Sequence, residues 1–121
     1  MAEQNVTAVL LPSTAFYLSE PYAPVEKMRN AKLCMAVASD YNPGSSPILN
    51  LPFALSLAVL KMGMTPAEGF AAVTYAGAKA LGLEKTQGFL QVGYKPFFTV
   101  FECPSFLSLI QNVAHPGLAI L

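Results

Sequence analysis

Lys32-Leu33-Cys34-Met35-Ala36-Val37-Ala38-Ser39-Asp40-Tyr41-Asn42-Pro43-Gly44-Ser45-Ser46-Pro47 is the stretch on which the chain turns. Its first half is a short run of small apolar, β-compatible residues, and it reads as a strand buried on both faces. Its second half is polar and made of turn residues. Asp40 stands at the changeover. In a parallel α/β barrel, residues at the C-terminal ends of strands carry the chemistry. A carboxylate there can hold a metal, move a proton, or do both in turn. Asp40 also reads as a plain turn cap bonding its own backbone, as Asp and Asn often do. The stretch by itself leaves both readings open.

Working outward toward the N-terminus, residues 6–11 (Val-Thr-Ala-Val-Leu-Leu) are β-branched and apolar and end at Pro12, which predicts a first buried strand. A polar-aromatic loop, Ser13-Thr14-Ala15-Phe16-Tyr17, is expected next. Pro24 followed by residues 25–31 reads as a short helix with proline in its first turn. Residues 35–39 form the second strand. The spacing between the strands is that of a βαβ unit of ~30 residues, whose crossover makes the strands parallel.

Toward the C-terminus, residues 51–62 predict a helix apolar nearly all round, and so buried on more than one face, with Gly63 ending it. Thr65-Pro66-Ala67-Glu68 is a capping box: Thr65 as N-cap, Pro66 at the first helical position, Glu68 reaching back. That helix runs through Phe70, Ala71, Val73 and Thr74, with Gly77 interrupting the pattern. The small-residue segment Ala78-Lys79-Ala80-Leu81 ends at Gly82. A soft boundary near Gly82 and Leu83 divides residues 1–82 from residues 83–121. Beyond it, residues 88–93 and 97–101 look like short strands between Gly and Pro turns, and residues 104–113 allow a helical turn or two. Pro116-Gly117 reads as a turn before an apolar end.

Composition narrows the class. The 121 residues make at most one domain. Charged residues are 12% of the chain, against roughly 25% in ordinary soluble domains. Hydrophobic residues are 54%, and the mean hydropathy is positive. Short chains keep much of their surface outside, so few charges imply a surface meant to be covered. A membrane is a poor cover: Asn50, Pro52, Ser56 and Lys61 interrupt the longest apolar stretch, and a spanning helix needs about 20 mostly apolar residues. Met1-Ala2-Glu3-Gln4-Asn5 has no secretion-signal character. Seven acids balance seven bases, leaving no electrostatic footprint for nucleic acid. Cys34 and Cys103 show no metal-type spacing, and reduced thiols are expected.

Following a small apolar strand, Asp40-Tyr41-Asn42-Pro43-Gly44-Ser45 resembles the last-strand motif of the imidazolonepropionase family, metal-dependent amidohydrolases of histidine breakdown. Other stretches resemble it in the same order. Residues 8–12 are similar to its penultimate barrel strand and loop. Residues 51–62 and 65–70 are similar to the two helices after the last strand. Residues 78–83 and 88–93 are similar to the return into its small β domain. The resemblance spans about residues 6–101, and the Asp-x-Asn-Pro-Gly loop is its most specific part.

The fold this resemblance implies is α/β. Residues 1–82 would be the last two βα units of a (β/α)8 TIM-like amidohydrolase barrel, and residues 83–121 a C-terminal segment of the small composite β domain. The implied reaction opens the ring of 4-imidazolone-5-propanoate by hydrolysis to N-formimidoyl-L-glutamate, with one divalent metal, zinc or iron, activating a water. Asp40 matches the aspartate that ligates the metal and shuttles the proton. Asn42 and Gly44 match positions holding the propanoate or product, and Ser45 a substrate-contacting hydroxyl. A cytoplasmic homodimer, with no nucleic-acid or membrane partner, is implied as well.

The family's metal site also needs histidines, and this chain has one, His115, in a His115-Pro116-Gly117 context that reads as a surface turn. A catalytic zinc takes three protein ligands and a water. The expectation is therefore the C-terminal portion of a longer enzyme, inactive alone and without tight zinc binding. Two departures bear on the small β domain. Gly93-Tyr94-Lys95-Pro96-Phe97 stands where amidohydrolases usually continue Gly-Lys-x-Ala-Asp, and His115-Pro116-Gly117-Leu118 replaces a polar Asn-Gly-Lys turn. The alternatives are another amidohydrolase acting on a cyclic amide, or a non-catalytic remnant docking to a partner by its apolar face. The Asn42-Pro43-Gly44 loop argues against the first, because the general superfamily needs only the aspartate.

Overall fold

Two parallel strands organise the structure, a computed structural model that describes residues 6–113 and the backbone of residues 119–120. Strand β1 (Thr7–Leu10) pairs with β2 (Cys34–Val37) in the register Thr7 to Cys34 through Leu10 to Val37. The Ala38 amide extends this ladder to the Leu10 carbonyl at 3.0 Å. A parallel pair needs a crossover. It is made by α1 (Pro12–Leu18) and α2 (Val25–Asn30).

Helix α1 corrects the loop expected over residues 13–17. Pro12 occupies its first turn, where a missing N–H costs nothing and a fixed φ favours the helix. Ser19, at φ 57°, ends it.

Helix α3 (Leu51–Leu60) begins at Asn50, whose side chain accepts from the Phe53 amide at 3.1 Å. It stops two residues short of the expected Met62, because Gly63, at φ +75°, turns the chain away. Ala54, Leu55, Ser56, Leu57 and Ala58 are all buried. Five consecutive buried positions cover more than one turn of 3.6 residues, so the middle of the helix is enclosed all round as its composition predicts, while Leu51 and Leu60 at its ends are exposed. One buried polar group in it has a partner: Ser56 Oγ donates to the Ile110 carbonyl at 2.9 Å, tying α3 to α6 (Ser108–Gln111).

Helix α4 (Pro66–Val73) carries both halves of the predicted capping box. The Glu68 amide donates to Thr65 Oγ1 at 3.2 Å, and the Thr65 amide to Glu68 Oε2 at 2.7 Å. The break that follows is at Thr74 and not at Gly77. Thr74 has φ −120° and ψ −92°, its hydroxyl donates to the Phe70 carbonyl at 2.6 Å, and Gly77 lies inside α5 (Tyr75–Ala80). Such a local side-chain bond competes with the helix's own pattern. Gly69 lets α4 approach α3 closely: a Cβ there would stand 2.7 Å from Leu55 Cδ1 and 3.0 Å from Val59 Cγ2. Leu10, Val37, Ala54, Ala58, Met64 and Ala72 meet in the core between the strands and these helices.

After α5 the chain loses regular structure. Residues 88–93, expected as a strand, form turns and bends, and the strand expected over 97–101 is reduced to β3 (Val100–Phe101). A strand exists by pairing with a neighbour, and the partner described here is the two-residue β4 (Ala119–Ile120), antiparallel to β3. The expected helical turn within 104–113 is α6. Met1, His115 and the Pro116-Gly117 turn lie outside the described residues. Among the described residues, no helix is long and apolar enough to cross a membrane.

Candidate functional site

Because β1 and β2 are parallel, the segments leaving their C-terminal ends emerge on one side. Asp40 follows β2 by three residues, is exposed, and has φ 51°. That left-handed conformation is costly for most side chains and tolerated best by Asn and Asp. Thr14, in the helix leaving β1, donates from Oγ1 to Asp40 Oδ2 at 2.9 Å. The carboxylate is thus tethered through one oxygen.

Asn42 holds the backbone beneath it. Its Nδ2 donates to the Asp40 carbonyl at 2.7 Å and to Ser45 Oγ at 2.9 Å. Its Oδ1 accepts from the amides of Gly44 at 3.0 Å and Ser45 at 2.8 Å. An antiparallel bridge between Asn42 and Ser46 closes the loop, and the buried Ser46 hydroxyl donates to the Ser39 carbonyl at 2.6 Å. The four residues singled out in the sequence, Asp40, Asn42, Gly44 and Ser45, are therefore brought together in one compact turn. Asn42's amide is engaged within the turn. Gly44 has no left-handed φ, and a Cβ there would reach Asn42 Oδ1 at an ordinary 3.4 Å. Nothing inside the loop demands glycine, and what it supplies is open space on the outer side.

Thr14 is a candidate-site residue that the sequence does not single out, since it stands in what reads as a polar-aromatic loop. The signal available was topological: two parallel strands must present their following segments together.

The ion pair found among the described residues lies elsewhere. Arg29 donates to Glu68 from Nε at 2.6 Å and Nη2 at 2.8 Å, and to the Gly63 carbonyl at 2.8 Å. These bonds hold the Glu68 carboxyl down at about 2 and raise Arg29 above its ordinary value. Arg29 immediately precedes the segment entering β2, so this pair sits at the end of the strands opposite Asp40, where barrels keep stabilising contacts.

A cavity of about 1350 Å³ opens between β2, α5 and the segment bearing Phe97 and Phe98. Its lining is mostly apolar and reaches Ser39 but not the Asp40 carboxylate. Among the described residues, no three His, Cys, Asp or Glu side chains converge on a point that would hold a metal ion. Asp40 offers one ligand, its Oδ1 bearing no hydrogen bond among the described residues. That suits one position of a metal site and does not complete one.

Parallel strands with a loop-borne carboxylate at their C-terminal ends agree with the sequence comparison: the chain belongs to the amidohydrolase family, whose profile matches residues 1–117. Among curated relatives, the imidazolonepropionase of a Geobacillus species is 44% identical over 112 residues, 93% of this chain and 26% of the relative. That of Brevibacillus brevis is 46% identical over 109 residues, 90% and 26% of the two chains. That of Salmonella paratyphi A is 38% identical over 118 residues, 97% and 28%. The chain spans about a quarter of the length of the curated relatives it matches. Among solved structures, an adenosine deaminase from Xanthomonas campestris with bound zinc superposes with a TM-score of 0.78 at 22% identity, covering 94% of this chain and 27% of that one. The guanine deaminase of E. coli superposes at 0.71 and 24% identity, over 84% and 24%. Those two likenesses show the fold alone, a mixed α/β arrangement shared over this length of chain.

Proposed function

We propose that this chain is the Asp40-bearing portion of an enzyme that hydrolyses 4-imidazolone-5-propanoate to N-formimidoyl-L-glutamate in histidine degradation. The observation that carries the reading is that relatives 38–46% identical over nearly the whole chain share one name, imidazolonepropionase. Residues 1–82 are assigned to the last two βα units of the barrel and residues 83–121 to the small composite β domain. The enzyme acts in the cytoplasm as a homodimer on a small molecule, without nucleic-acid or membrane partners.

Asp40 is the catalytic residue in this proposal. It supplies one ligand to a divalent metal, zinc or iron, whose remaining ligands come from outside this chain. When bound, such a metal activates a water by lowering its pKa toward 7. Asp40 takes the proton and returns it to the departing ring nitrogen, so its carboxylate must be held still and kept partly free. Asn42, Gly44 and Ser45 form the rim that receives the substrate's carboxylate tail. Asn42 and Ser45 reach it by exchanging their mutual 2.9 Å bond for bonds to the ligand, while Gly44 leaves room for its approach.

The test is a chimera in which this chain replaces the matching segment of the Geobacillus relative. Conversion of 4-imidazolone-5-propanoate to N-formimidoyl-L-glutamate is expected from the chimera, and none from the 121-residue chain by itself. A folded chimera without turnover, or turnover by the chain alone, contradicts the reading.

A further inference from the structure

We infer that Thr14 is the positioning residue for Asp40: its hydroxyl fixes the carboxylate's rotation and commits one of the two oxygens, leaving the other for the reaction. The inference rests on the reading of Asp40 just given, and it adds a residue from a different strand's exit to the site. Three observations carry it. Thr14 Oγ1 lies 2.9 Å from Asp40 Oδ2, and the two residues are far apart in sequence, joined by the parallel pairing of β1 and β2. Asp40 is exposed, and among the described residues Thr14 is the one hydrogen-bond partner of its carboxylate. Its backbone is already gripped from below by Asn42 Nδ2 at 2.7 Å, which leaves the carboxylate's own rotation as the freedom that Thr14 removes.

A hydroxyl suits this task. It donates one hydrogen bond and carries no charge, so it orients the carboxylate without neutralising it. A lysine or arginine in its place would draw the carboxylate into an ion pair and weaken it as a base. Thr14 also stands in the first turn of α1, and sites built on regular elements hold their groups more tightly than sites on loops. The strand-exit helix and the strand-exit loop thus grip one another through this single bond.

The experiment compares Thr14→Val and Thr14→Ser in the chimera described above. Thr14→Val keeps the shape and removes the donor. It is expected to lower kcat by about tenfold to a hundredfold, the scale on which small misplacements act, with KM and the melting midpoint unchanged. Thr14→Ser restores the donor and is expected to restore kcat. Full kcat in Thr14→Val, or failure of Thr14→Ser to rescue, overturns the inference, since a merely structural threonine would shift the melting midpoint and leave kcat alone. If Thr14→Val does not fold, Thr14→Ala carries the same expectation without the crowding of a second methyl group. Asp40→Asn separates the two levels. An inactive Asp40→Asn beside a fully active Thr14→Val removes the role of Thr14 only, whereas an active Asp40→Asn removes the reading of Asp40 on which it depends.

Discussion

Leu55 in α3 and Val92 in the segment after α5 are both aliphatic, yet the first is 3% exposed and the second 99%. The contrast extends to their surroundings. Around Leu55, strands and helices enclose one another. Around Val92, Leu90 at 84% and Phe97 at 73% face outward as well. Up to α5 one packed core gathers Leu10, Val37, Leu55, Leu57 and Met64, although Phe16, Leu49 and Leu60 stay exposed. After it, among the described residues, only α6 returns to the core, its Leu109 and Ile110 buried and the Ile110 carbonyl bonded to Ser56 of α3. Charge is sparse on both sides of residue 82, and exposed apolar residues are denser after it. This is the behaviour expected of a chain spanning about a quarter of its relatives' length, since the later region's apolar residues are suited to pack on something this chain does not itself supply.

The sharpest way to break this comparison is truncation in each region. Leu55→Ala should cost about 2–5 kcal/mol, the range for buried leucine. Val92→Ala should stay within about 0.5 kcal/mol. Urea unfolding midpoints of the two variants measure both. Equal losses would mean that Val92 is enclosed in solution and that the two regions are alike.

Two glycines refine the picture within the packed region. Gly69→Ala places a methyl group 2.7 Å from Leu55 Cδ1. The overpacking cost should exceed the helix-propensity gain and leave a net loss of about 1 kcal/mol. Gly77→Ala meets nothing closer than the Ala72 carbonyl at 3.7 Å. It should raise stability by about 0.5–1 kcal/mol. Thermal melting of the pair reads opposite signs.

The smallest effect concerns the far end of the strands. Glu68 is held at about 2, below its ordinary value of 4.5, first by Arg29 and then by the Thr65 cap. A lowered carboxylate stabilises the folded state above its unfolded pKa and loses that contribution as pH falls through the folded one. The difference in melting midpoint between the parent chain and Arg29→Met should therefore be fully present above pH 4.5 and vanish toward pH 2. It should also shrink with added salt, because both side chains are partly exposed.

How far the sequence reads through to the structure depends on whether the determinant is local. The Thr65–Glu68 capping box and the all-round burial of the middle of α3 are written in adjacent residues and appear as expected, and the Gly63 stop appears with the helix ending at Leu60. The parallel strands follow from spacing and apolar runs. Helix α1 was hidden because Pro12 reads equally as a strand's end and as a helix's first turn. The break at Thr74 was hidden behind Gly77, because the threonine's bond to Phe70 is a matter of side-chain geometry, whereas glycine announces itself. Residues 88–93 read as a short apolar run between glycine turns, as a strand does, but strands form by pairing, and no partner is written into the residues themselves. At the site, Asp40, Asn42, Gly44 and Ser45 were visible as a contiguous motif. Thr14 was not, since it enters through the fold alone. Asn42's commitment to the loop likewise required coordinates, because an asparagine followed by Pro-Gly-Ser is compatible with an inward or an outward amide.

The most direct measurement is the turnover of 4-imidazolone-5-propanoate by the chimera carrying this chain, with Asp40 intact and as Asp40→Asn. Asparagine keeps the size and the hydrogen bond from Thr14 while losing the capacity to accept a proton. The account predicts an intact fold and a loss of about 10²–10⁴-fold in kcat, the range for removing a general acid–base. Near-normal turnover by a folded Asp40→Asn would contradict it and return Asp40 to the role of a turn residue.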